Sequence, residues 1–65
     1  MTFVKSDIDK WLLSLLGRQE LVEQWWISPN WHFGMKTPLE VYQGTDKQRQ
    51  SVIDYVWSFM QGDYS

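Results

Sequence analysis

Few side chains in this sequence are equipped for chemistry. His32 is the one histidine, and there is no cysteine. A general base needs a nucleophile to activate and a carboxylate to orient it. Asn30 and Lys36, near His32 in the chain, make no such set. The expectation for His32 is a loop side chain stacked on Trp31. Without cysteine there is no disulfide and no thiolate-held zinc or iron–sulfur cluster. One histidine among scattered carboxylates has no metal-ligand spacing either. Asp7 and Asp9 read as first-turn partners of a helix dipole, and Glu20 and Glu23 as a solvated helix face. Gly17, Gly34, Gly44 and Gly62 stand singly, so no phosphate-cradling loop is expected. No catalytic, cofactor-binding or metal-binding residue is therefore expected, and the chain reads as a non-enzyme.

Charge and length exclude further classes. Six Lys+Arg against eight Asp+Glu leave a net charge of −2. The basic residues Lys5, Lys10, Arg18, Lys36, Lys47 and Arg49 are scattered, whereas nucleic-acid binders cluster positive charge to displace counterions from phosphates. Direct nucleic-acid binding is not expected. The longest apolar run is too short to span a bilayer, and the first ten residues lack a basic stretch followed by an apolar one. No membrane segment or signal peptide is expected, and the expected location is cytoplasmic. Sixty-five residues bound the chain to one domain over 1–65, and the aromatic-rich composition argues against disorder.

What the chain does have in surplus is aromatic surface: five Trp, three Tyr and three Phe. The elements that must position it are helical. Ser6 reads as the N-cap of a helix to Leu16, with Ile8, Trp11, Leu12, Leu15 and Leu16 on one stripe and Gly17 as its stop. A second helix spans Arg18 to Ile27, with Leu21, Val22, Trp25 and Trp26 on one face, and ends before Pro29. Ser28-Pro29-Asn30 is a turn, and Trp31 to Lys36 an irregular or one-turn segment. Thr37-Pro38-Leu39-Glu40 has Thr at the N-cap, Pro at the first helical position and Glu at the third: a capping box opening a short helix that Gly44 closes. The last helix starts near Thr45 or Asp46, with Thr45 and Gln48 as a second box. Val52, Ile53, Val56, Trp57 and Met60 form its stripe, and Gly62 is its expected stop. No useful alternating pattern exists, so the class is all-α: a compact bundle of about four short helices. Trp11, Trp25, Trp26 and Trp57 fall on stripes and are expected to supply its core.

The remaining aromatics fit that scheme less well. Tyr55 and Phe59 are four residues apart and lie off the Val56–Trp57–Met60 stripe. They read either as the flank of a wide core stripe or as an apolar contact surface. Trp31, Phe33 and Met35 alternate along a loop, and such residues cannot all point inward. Tyr64 follows Gly62, and both a core-docked and a partner-docked tail are open.

The stretch Trp26-Ile27-Ser28-Pro29-Asn30-Trp31-His32-Phe33-Gly34 followed by Thr37-Pro38-Leu39-Glu40 resembles the toxin-binding domain of Xre/MbcA/ParS-type bacterial antitoxins. Leu16-Gly17 fits the end of that family's first helix, and Val52, Val56 and Gly62 fit its last, so the resemblance covers about Leu12 to Gly62. It implies a small helical module that blocks the active-site cleft of a RES-type toxin, an enzyme that consumes or transfers from NAD. In that pattern Pro29, Gly34 and Pro38 shape the turn, Trp26 and Leu39 pack inside, and toxin contacts come from the last helix, its tail and nearby loops. On this chain the expected contacts are Trp31, His32, Phe33, Met35, Tyr55, Phe59, Asp63 and Tyr64. There are two departures. The helix-turn-helix module of typical members is not found in these residues, and Met35 stands where the family has the second glycine of a Gly-Gly pair. A different role for the same fold is the alternative: a stand-alone accessory or regulatory protein, for instance of a phage, that binds an unrelated protein or self-associates as a homo-oligomer.

Overall fold

Short-range hydrogen bonds set where each helix begins and ends. The computed structural model describes residues 3–61. Helix α1 spans Lys5–Leu16 and its N-cap is Val4 rather than Ser6. The Val4 N–H donates to Asp7 Oδ2 at 3.1 Å, so the carboxylate captures an amide that a Ser6 cap would have left outside the helix. Gly17, with φ 86°, ends α1 in the left-handed conformation, its N–H donating to the Leu13 carbonyl at 2.7 Å. Arg18 is the extended cap of α2, Gln19–Ile27, and pairs with Glu20. Ser28 is also extended, as expected before Pro29.

Helix α3, Pro38–Tyr42, carries the expected capping box in full. Thr37 Oγ1 accepts from the Glu40 amide at 3.1 Å, and the Thr37 amide donates to Glu40 Oε1 at 3.3 Å. Thr45 and Gln48 repeat the arrangement at the start of α4, Asp46–Met60, at 3.2 and 2.8 Å. Gly44 does not close α3 as a left-handed stop: the C-cap is Gln43, in a right-handed conformation. Its lack of a side chain matters for space instead, because a Cβ there would collide with the Gln48 side-chain amide. Gly62, expected to stop α4, lies outside the described residues.

Each helix packs on its neighbour in the chain, and α4 closes the ring by packing on α1. No strand occurs among the described residues; one isolated bridge pairs Asn30 with Lys36. The buried apolar core is Ile8, Leu12, Val22, Trp26, Val41, Val52, Ile53 and Val56. Of the four tryptophans expected there, only Trp26 is buried, at 3% exposure. Trp11 and Trp25 are half-buried at its edge, and Trp57 is 41% exposed. Close-set short helices leave room at their centre for β-branched side chains, and most indoles are held at the rim.

Trp26 also draws in Asp9. Its indole N–H donates to Asp9 Oδ1 at 2.7 Å, and Lys5 Nζ lies 3.4 Å from Asp9 Oδ2 and 4.6 Å from the Trp26 ring centroid. Asp9 is therefore not a dipole partner as its position suggests; it satisfies a donor that burial would otherwise strand. Asp7 does serve the first turn.

Candidate functional site: an apolar face built on Tyr55

The segment between α2 and α3 is a tightly bonded loop. Asn30 organises it from both ends. Its amide donates to the Lys36 carbonyl at 3.0 Å, and its carbonyl accepts from Phe33 at 2.9 Å and Met35 at 3.0 Å. Its side chain accepts from the His32 amide at 2.9 Å. One 3-10 turn, Trp31–Phe33, results, followed by two consecutive left-handed residues, Gly34 at φ 68° and Met35 at φ 69°. Only the first is a glycine. Met35 thus adopts the backbone conformation that a Gly-Gly pair would adopt without strain.

This loop presents its aromatics in two directions. His32 stacks on Tyr55, ring centroids 4.0 Å apart and 21° from parallel, and not on Trp31 as expected. Phe33 meets Tyr55 edge-on at 5.3 Å, and Tyr55 meets Phe59 edge-on at 5.1 Å. Trp31 is 84% exposed and Met35 62% exposed. Four of the expected contact residues, His32, Phe33, Tyr55 and Phe59, thus form one ring-against-ring row, with Tyr55 at its centre. Trp31 and Met35 project from the same loop. Asp63 and Tyr64 lie outside the described residues.

On its other side Tyr55 lines a groove of about 240 Å³. Leu12, Leu15 and Leu16 of α1, Trp25 of α2, and Tyr55, Val56 and Phe59 of α4 form its walls. Phe59 is 53% exposed, and Leu15 and Leu16 are also exposed. Both leucines belong to the stripe of Ile8 and Leu12. They lie in the last turn of α1, where the chain turns away at Gly17 and leaves their outer sides uncovered. Periodicity did show that they share a face with Leu12. Nothing local shows that the face outruns its cover. Leu21, also on a stripe, is exposed as well.

A second aromatic cluster was not singled out by the sequence. Phe3 meets Trp11 edge-on at 4.9 Å and stacks on Trp57 at 5.9 Å, while Trp11 and Trp57 are 5.2 Å apart. It closes one side of the α1–α4 contact.

Among the described residues no group of three or more His, Asp or Glu side chains could hold a metal ion, and no helix is long and apolar enough to cross a membrane. Tyr55 is half-buried and packs against the core, while Phe59 stays exposed. What the face can do chemically is remove apolar area from water against a complementary surface. The chain matches no protein-family model, no curated protein and no solved structure.

Proposed function

We propose that the chain is a non-enzymatic protein-binding module of antitoxin type, which masks the active site of a RES-type, NAD-consuming toxin. One observation carries the reading: the aromatic row of His32, Phe33, Tyr55 and Phe59 with the apolar groove that Tyr55 and Phe59 also line, while Trp31 and Met35 are exposed on the same loop. Exposed apolar side chains grouped in this way mark interaction surfaces. Aromatic and Met side chains are enriched at the energetic centres of interfaces, with buried contact rather than net charge as the source of affinity. The resemblance of Trp26 to Glu40 to the toxin-binding domain supplies the class of partner. The left-handed Met35, at the place of that pattern's second glycine, supports the correspondence of the two loops.

Masking requires only that the face cover the toxin's cleft; it needs no catalytic group on this chain. The test is co-expression with a RES-type enzyme. The expected result is a complex that co-purifies and cellular NAD that is spared. Absence of a complex together with undiminished NAD loss overturns the reading.

A further inference from the structure

Met35 is badly placed for folding, in backbone and in packing. At φ 69° it holds a left-handed conformation that crowds its Cβ, and its side chain is 62% exposed. Glycine at this position would relieve the strain and give up little contact. Strain of this sort persists only where the surroundings impose it, and it collects at ligand clamps and switch regions. Here hydrogen bonds impose it. The Asn30 amide donates to the Lys36 carbonyl at 3.0 Å, the Met35 amide to the Asn30 carbonyl at 3.0 Å, and the Gly34 amide to the Trp31 carbonyl at 3.1 Å. These bonds bring the Trp31 and Met35 backbones together at one tied loop. Trp31, at 84%, is the most exposed large apolar side chain of those described. Lys36, the next residue after Met35, is exposed and pairs with no carboxylate among the described residues. No acidic residue occurs between Glu23 and Glu40. The loop thus carries an indole, a thioether and an uncompensated cation.

We propose that Trp31 and Met35 are the anchors of the masking contact, seated in an apolar cleft of the partner whose rim is acidic where Lys36 meets it. This rests on the reading of the chain as a toxin-masking module and names the part of it that enters the cleft. Trp and Met are favoured at the centres of interfaces, and the unbranched thioether adapts to an irregular pocket. His32 and Phe33, both against the Tyr55 ring, are the mount that holds the loop on α4. The loop is ordered before it docks, so little freedom is lost on binding. Lys36 finds on the partner the negative charge that its own chain does not offer, which speeds encounter and fixes register. Met35 on this account exchanges stability for contact.

The test is binding kinetics to a purified RES-type enzyme by biolayer interferometry, with a thermal melt of every variant. Met35→Gly should melt no lower than the wild type yet bind at least about fivefold more weakly. Met35→Ala, which keeps Cβ and the backbone restriction, should bind as weakly, and Met35→Leu should bind like the wild type. Trp31→Ala should leave the melt unchanged and weaken binding at least about tenfold, through faster dissociation. Lys36→Glu should slow association at low salt, with the difference fading as salt rises. A complex that Met35→Ala and Trp31→Ala leave unchanged overturns this proposal and leaves the toxin reading standing. Weaker binding by Met35→Gly alone traces to a loosened loop and also overturns it. Unchanged association of Lys36→Glu at low salt overturns the acidic rim. A wild type that forms no complex overturns the toxin reading and this proposal with it.

Discussion

Replacing Met35 with glycine should make this protein more stable while removing a side chain. Met35 has φ 69° and follows Gly34 at φ 68°. For an L-residue the left-handed conformation costs about 1–2 kcal/mol, because Cβ crowds the carbonyl oxygen. Glycine avoids that cost but adds about 0.5–1 kcal/mol of freedom to the unfolded chain. The side chain is 62% exposed, so little packing is lost with it. The net gain is about 0.5–1 kcal/mol, and for a domain of this length each kcal/mol moves Tm by about 4–8 °C. A rise of about 2–8 °C is expected in a far-UV circular dichroism melt. A urea titration should show a higher midpoint at unchanged slope. Two controls isolate the backbone as the cause. Met35→Ala keeps Cβ and should be near neutral. Gly34→Ala meets nothing within 4 Å, so its net loss of about 0.5–1 kcal/mol, the same balance in reverse, would come from the backbone alone. An unchanged or lower Tm for Met35→Gly, or an equal gain for Met35→Ala, refutes the strain argument.

Asp9→Ala should cost about 1–3 kcal/mol by leaving the buried Trp26 N–H unpaired. Trp26→Phe should then cost less in that background than in the wild type, and strict additivity in the double-mutant cycle would contradict the bond's role. Gly44→Ala should cost about 1 kcal/mol by displacing Gln48 from its cap on Thr45. Once Gln48→Ala has removed that cap, the same change should cost little, which urea midpoints of the four proteins would show. Ile8→Ala empties a fully buried site and should cost about 2–5 kcal/mol. A chain of this length has a total stability of only about 3–10 kcal/mol, so a melt still near the wild-type Tm would place Ile8 outside the core.

The features legible in the sequence are those whose physics is complete within three or four residues. Thr37 with Glu40, and Thr45 with Gln48, each close a pair of hydrogen bonds on their own backbone. Gly17 needs only its own dihedral to end α1. These signals, with the 3.6-residue stripes, determine an all-α chain of four helices and place their turns. The same locality explains the small errors. Ser6 is a good cap in isolation, but Asp7 reaches Val4 and moves the start. Gly44 sits where a helix stop belongs, but its place is set by the Gln48 side chain.

Burial was not legible in this way, because it belongs to pairs of elements. A stripe states the direction of a face but not how far a neighbour covers it. Leu15 and Leu16 share the face of Leu12, yet the chain turns away at Gly17 and leaves them lining a groove. Trp26 and Trp57 are equally good stripe residues, yet one is at the centre and the other half in water. Asp9 gains its partner seventeen residues away, a bond that exists only because α1 and α2 pack. The sequence alone determined the helices, their caps and an excess of aromatic side chains over what four stripes could use. Tertiary packing decided which of those side chains became core and which became the face around Tyr55, since only the approach of one helix to another excludes water.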